Sequence, residues 1–292
     1  MRVVVTGASG FVGQAVVLAL RARGHDVRAL DRSVVGDIAG ITNWSEHFAG
    51  RDAVVHLAGL AHARRVDEER LRAVNVDAAL ALGKAAAAAG AGVKMLQMSS
   101  VKVLGEETQR KPFDDSSPPA PTDAYGRAKA EAEAGLRAIP GLLLTVLRPP
   151  LVYGPGVKAN FLALMRAVAR GCPLPLAGIE NRRSLVYVGN LADAVGQCLE
   201  TPLATGKTYG VTDGAPPSTP ALCHALGAAL GSPARLFLFP PLLLELAPRA
   251  RSLTRSLVVD DGALRRDLGW APPYTIEEGL RRTAEWFRTQ GG

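Results

Sequence analysis

Tyr125 and Lys129 are spaced as Y-x-x-x-K, and on a helix this i,i+4 separation stacks both side chains on one face. A free tyrosine titrates near pH ~10 and is a poor base at neutrality. A lysine ammonium about 5 Å away, at an effective dielectric of about 20, lowers that value by roughly 3 kcal/mol, or about two units. The pair is therefore expected to take or return the proton of a sugar or alcohol hydroxyl while hydride moves to or from a nicotinamide. Ser99 and Ser100 follow an apolar run at 94–98, at the strand end where α/β proteins gather their ligands. A hydroxyl there can bond the substrate oxygen and hold it against Tyr125.

The nicotinamide itself is called for by a second group of residues. Thr6 to Gly13 reads TGASGFVG, a G-x-x-G-x-x-G loop between a strand and a helix. Gly7 permits the tight turn, Gly10 lets backbone N–H groups approach a pyrophosphate, and Gly13 lets helix and strand pack closely. Ser9, Phe11 and Val12 complete the phosphate cradle at a helix N-terminus, whose dipole favours anions. Asp31 lies a little over twenty residues on, where a carboxylate meets the adenosine ribose. It accepts from the 2′- and 3′-hydroxyls and repels a 2′-phosphate, so NAD is preferred. Arg28 and Arg32 could pair that phosphate, which leaves NADP possible. Asp37 and Ile38 are candidates to contact adenine.

These groups need an open sheet with its loops at one edge, and the sequence pattern supplies one. Short β-branched runs at 2–6, 27–30, 53–57, 94–98 and 142–147 alternate with Ala/Leu-rich helical patterns, including 75–89 and 122–138. A further short strand is expected just before Asp37. The reading is an α/β chain, a Rossmann-type doubly wound parallel sheet, with a smaller C-terminal substrate-binding subdomain. The cofactor domain spans 1–150, with strands returned to its sheet near 184–188 and 208–211. Residues 151–292, where Pro and Gly punctuate shorter elements, form mainly the substrate subdomain.

Composition excludes several classes. The 292 residues are 48% hydrophobic with a net charge of +7, too apolar for a disordered chain. Cys172, Cys198 and Cys223 show no paired spacing, which argues against a disulfide framework or zinc site and for a reducing cytoplasm. The longest apolar stretch, 236–246, is too short for a membrane span and holds Pro240, Pro241 and Glu245. No basic, aromatic-interleaved segment calls for nucleic acid. No metal ligand set is expected.

Taken together, the glycine loop, Asp31, the His56–Gly59 run HLAG, Asn75, Ser100, Tyr125 with Lys129, and the RPPLVYGP run from Arg148 resemble the extended short-chain dehydrogenase/reductases. The sequence is most similar to their NAD-dependent nucleotide-sugar epimerase/dehydratase group. The resemblance implies that Ser100, Tyr125 and Lys129 are the catalytic triad. It also implies that Leu57, Ala58, Gly59 and Asn75 border the cofactor, and that Val101, Asn160 and Arg183 line the nucleotide-sugar site. A further arginine from the C-terminal part meets the diphosphate: Arg249, Arg251 or Arg255, with Arg255 taken as the candidate. His62 falls in a loop near the cofactor or sugar phosphates, and His56 is expected to pack beside the cofactor without titrating. The resemblance further implies a homodimer, formed by pairing the helices at 75–90 and 122–138.

Ser100 is followed by Val101 and Lys102, where dehydratases of the group carry an acidic pair, so water elimination is not expected. Leu104 stands where many galactose-type epimerases have tyrosine. The leading expectation is a UDP-sugar 4-epimerase. The alternative is an NAD(P)H-dependent 4-ketoreductase of a UDP-4-keto-6-deoxy-N-acetylhexosamine in polysaccharide precursor synthesis. A non-catalytic dinucleotide-binding redox sensor is a third reading, disfavoured because it has no need of Ser100, Tyr125 and Lys129.

Overall fold

The structure is a computed structural model describing residues 1–41, 43–61, 67–90, 92–246 and 250–290. Its strands are Arg2–Thr6 (β1), Asp26–Leu30 (β2), Ala53–His56 (β3), Lys94–Met98 (β4), Leu143–Arg148 (β5), Leu151–Tyr153 (β6), Leu185–Tyr187 (β7) and Thr208–Gly210 (β8). Six form one parallel sheet in the order β2-β1-β3-β4-β5-β8. The longer helices are Phe11–Ala22 (α1), Ala78–Ala88 (α2), Ala124–Arg137 (α3), Ala159–Ala169 (α4), Val188–Glu200 (α5), Thr219–Leu230 (α6) and Ile276–Thr289 (α7).

Side chains alternate across each strand, so a strand buried on both faces must be apolar throughout. Val3 and Val5 pack with Val16 and Leu20 of α1 and Leu191 and Val195 of α5, whereas Val4 packs oppositely with Leu82 of α2 and Leu136 of α3. The chain order reverses between β1 and β3, the crevice where ligands of such sheets bind. Helices α2 and α3 meet through glycines: a Cβ on Gly83 would fall 2.5 Å from Leu136, and one on Gly135 2.6 Å from Leu80.

Three local expectations are corrected. The segment before Asp37 is a short helix, Arg32–Val35, because Asp31 caps it through Ser33 and Gly36 ends it at φ 68°. The helix expected from residue 75 opens with a π-turn over Ala73–Asp77 before α2 begins. The run near 184–188 does not return to the main sheet: β7 pairs in parallel with β6 as a separate two-stranded sheet, while β8 does join β5. Asp213 decides that pairing. Its carboxylate accepts from Tyr187 N (2.8 Å), Asn190 Nδ2 (2.8 Å) and the Tyr153 hydroxyl (2.8 Å), tying β6, β7 and α5 together. Around them lies a second core that includes Phe161, Met165, Leu185, Leu226 and Phe287.

Candidate active site

The loop after β1 is shaped by backbone approaches that only glycine allows. Gly7 has φ 69°, and a Cβ there would lie 2.7 Å from Ala58 N. A Cβ on Gly13 would fall 2.1 Å from the Gly7 carbonyl oxygen. Ser9 O accepts from Gln14 Nε2 at 3.1 Å, and Phe11 and Val12 are half-buried at the start of α1. No side chain caps α1 and no acid sits in its first turn, so its leading amides suit an anion. Asp31 follows β2 directly, and Thr6 pairs with Leu30, which sets Asp31 beside the loop. Its exposed carboxylate accepts from Ser33 N (2.9 Å) and Ser33 Oγ (2.6 Å), which hold it below the ordinary carboxylate range. Arg32 is exposed. Asp37 caps the turn Ile38–Gly40 and pairs with Arg70, so its carboxylate is already committed.

Leu57, Ala58 and Gly59 leave β3 on the other side of the crevice. Asn75, on the π-turn, fastens this loop: its Oδ1 accepts from Leu60 N (2.9 Å) and its Nδ2 donates to Leu60 O (3.1 Å). A Cβ on Gly59 would meet Asn75 Oδ1 at 2.8 Å and Lys129 Nζ at 3.4 Å. The cradle around β1 and β3, with Asp31 at its edge, fits a dinucleotide, and it runs directly to the lysine.

Tyr125 and Lys129 project from the first turns of α3, which begins where Asp123 caps Gly126 N at 2.7 Å. Ser100 caps the turn after β4, its Oγ accepting from Lys102 N at 3.2 Å. Its hydroxyl also hydrogen-bonds Tyr125. Ser100, Tyr125 and Lys129 are thus brought together. Their electrostatics overturn one expectation. Burial pushes Tyr125 up to about 12, helped by the Asp123 carboxylate and only partly opposed by the Ser100 hydrogen bond. Lys129 does not offset this. Its Nζ donates to the Met98 carbonyl at 3.0 Å, stands 6.0 Å from the Tyr125 ring centroid, and is itself brought down to about 8 by burial.

Among the polar residues near the site, Glu133 and Gln97 escaped the sequence reading. Ser99 points away from Ser100 and donates to the buried Glu133. Glu133 also accepts from Arg148 Nε (3.0 Å), Arg148 Nη2 (2.7 Å) and Arg137 (2.9 Å). Its i,i+4 position after Lys129 was the available signal. His56, Thr6 and Gln97 form a buried polar row across β1, β3 and β4. His56 Nδ1 bonds Thr6 Oγ1 at 2.7 Å, while its Nε2 has no partner among the described residues. Burial and the nearby Lys129 ammonium push His56 down to about 3, so it is neutral.

Of the residues expected to line a nucleotide-sugar site, Val101 is buried and Asn160 is exposed in the first turn of α4, just after Ala159 at φ 54°. A Cβ on Gly156 would touch Phe11 at 3.3 Å, which shows how closely the segment after β6 lies against the cofactor loop. Arg183 is half-buried, donates to Arg255 O at 2.9 Å and forms no ion pair among the described residues. Arg255 is instead engaged by Glu107 and by Glu245 (3.0 Å). Arg251 is exposed, and His62 and Arg249 lie outside the described residues.

Comparison with known proteins identifies the family. The sequence pattern of the NAD dependent epimerase/dehydratase family matches residues 3–211. A UDP-glucose 4-epimerase of Vibrio cholerae is 35% identical, over 98% of this chain and 95% of its own. Another, from Mycolicibacterium smegmatis, is 30% identical over 99% of each chain. The UDP-glucose 4-epimerase of Thermus thermophilus, solved in complex with NAD, has a TM-score of 0.79 at 26% identity and 99% coverage of each chain. The family pattern over residues 3–211 and these relatives show that this chain belongs to the NAD dependent epimerase/dehydratase family and is an enzyme whose cofactor is NAD(P).

Proposed function

We propose that the chain is an NAD-dependent UDP-sugar 4-epimerase acting by transient oxidation at C4 and return of hydride. The observation that carries this reading is the convergence of Ser100, Tyr125 and Lys129 on the Gly59–Asn75 side of the dinucleotide cradle. Bound NAD supplies the two-electron acceptor and donor, the part of the chemistry no side chain can provide. Tyr125 takes the 4-hydroxyl proton and later returns it, and Ser100 holds the same oxygen in line. Burial and the Asp123 carboxylate favour the protonated tyrosine, while the Ser100 hydrogen bond favours the phenolate. Lys129, tied to Met98 O, keeps a positive charge beside the ring. Turnover of the 4-keto sugar in its pocket lets hydride return to the opposite face.

Asn160 and Arg183 take the nucleotide diphosphate in this reading, since a guanidinium with carbonyl but no carboxylate partners has donors to give. Arg255 joins them if the diphosphate displaces Glu107 or Glu245. Likeness to UDP-glucose 4-epimerases supports a uridine nucleotide. We further propose a homodimer formed through α2 and α3, in the cytoplasm.

The test uses purified, desalted full-length protein. NAD should remain bound, and NMR should show interconversion of a UDP-sugar and its C4 epimer without added cofactor. An empty site that takes up NADPH stoichiometrically and reduces a 4-keto sugar one way would replace the epimerase with the reductase.

A further inference from the structure

Eleven large hydrophobic side chains are exposed among the described residues, and six of them fall between residues 237 and 246. Phe237, Leu238, Phe239, Leu242, Leu243 and Leu246 are 37–82% exposed. They do not hang from a slack loop. Leu174 N donates to Arg235 O (2.8 Å), Phe237 N to Leu174 O (3.0 Å) and Ala177 N to Phe237 O (3.1 Å). Leu236 and Leu244 turn inward against the second core. The backbone is therefore held by Leu236 and Leu244, while Phe237, Leu238, Phe239, Leu242, Leu243 and Leu246 stay exposed within one ten-residue stretch. A contiguous patch of this kind on a folded chain marks an interaction site.

Charge says what covers it. Segments 166–183 and 235–255 hold eight arginines and two glutamates, which accounts for six of the seven net positive charges. The segments are joined in space by the pairing of Leu174 with Leu236 and by Asn181 Nδ2 donating to Leu253 O at 3.0 Å. One of the two acids, Glu245, is already paired with Arg255. Arg166, Arg170, Arg182, Arg235 and Arg251 are exposed. A leucine- and phenylalanine-rich face bracketed by arginines matches the interface of an anionic bilayer, where apolar side chains enter the headgroup boundary and cations stay at its surface. A second copy of the chain would oppose arginine with arginine.

We propose that the Phe237–Leu246 face docks this enzyme on the surface of an anionic lipid bilayer, without spanning it. No helix among the described residues is long and apolar enough to cross a membrane. The ion pairs of Arg255 with Glu107 and Glu245 connect this face to the side of the molecule that carries Arg183. Docking thus places the candidate substrate site near the lipid headgroups.

The experiment is co-sedimentation of the full-length protein with phosphatidylcholine vesicles with and without phosphatidylglycerol. Binding should require phosphatidylglycerol and weaken at high salt. The triple variant Leu238→Glu, Leu242→Glu, Leu246→Glu should lose about tenfold or more of its partitioning while keeping wild-type turnover in solution. Arg170→Gln with Arg235→Gln should weaken binding without changing the apolar face. Failure of the wild type to sediment with either vesicle overturns the proposal, as does equal binding to neutral vesicles. Light scattering showing a dimer that the triple variant dissociates would assign the face to a second copy instead.

Discussion

Lys129 Nζ donates to the Met98 main-chain carbonyl at 3.0 Å, so the base of α3 is bonded to the end of β4 and not to the Tyr125 hydroxyl. Burial lowers this lysine to about 8, below its ordinary 10.5. Between those values the unfolded chain binds the extra proton, so the group makes stability rise with pH over that window. Lys129→Met removes the buried ammonium. Its stability relative to wild type should be more favourable near neutrality, by about 3 kcal/mol, than near pH ~10.5. Denaturant melts across this range check it, and a pH-independent difference would show that Lys129 is not desolvated.

Tyr125→Phe removes the hydroxyl that Ser100 bonds and leaves the glycine cradle untouched. Turnover should fall about 10²–10⁴-fold with NAD still bound. Turnover and cofactor absorbance measured on the same desalted sample check this; retained activity would remove the tyrosine from the chemistry.

His56 titrates near 3 in the folded chain against 6.5 when free. Because the unfolded chain takes the proton first, its contribution to stability is present above about 6.5 and is lost as pH falls through that value towards 3. The loss reaches about 2 kcal/mol near pH ~5. Urea midpoints of wild type and His56→Gln, compared near pH ~7 and ~5, should converge on acidification. Parallel midpoints would contradict a neutral buried histidine.

Glu133 accepts from Ser99, Arg137 and Arg148 within the fold, so removing it strands the buried Arg148 guanidinium. Glu133→Ala should cost about 3–5 kcal/mol, and Ser99→Ala about 1–3 kcal/mol. Thermal melts of the two variants decide whether the pair of serines divides as argued, Ser99 for structure and Ser100 for the site.

Asp31→Ala should narrow the preference for NAD over NADP, since Arg28 and Arg32 remain nearby to meet a 2′-phosphate. Fluorescence titration of the cofactor-free protein with both nucleotides measures this. An unaltered ratio would move the ribose contact elsewhere.

The amino-acid sequence alone determined what depends on local backbone and short spacing. The glycine loop, the Tyr125–Lys129 helix face, the parallel-sheet pattern and the place of Asp31 after β2 all lie within one or two elements, where periodicity and backbone stereochemistry act directly. Tertiary structure decided what depends on distant segments meeting. Asp213 drew β7 to β6, Glu133 claimed Ser99, and Glu107 with Glu245 claimed Arg255. Burial then raised Tyr125 where an i,i+4 lysine alone suggested it would fall, because desolvation depends on everything packed around the hydroxyl. The apolar run at 236–246 was visible as too short to span a membrane. Only its pairing with the arginine-rich segment near Leu174 turned it into an outward-facing surface.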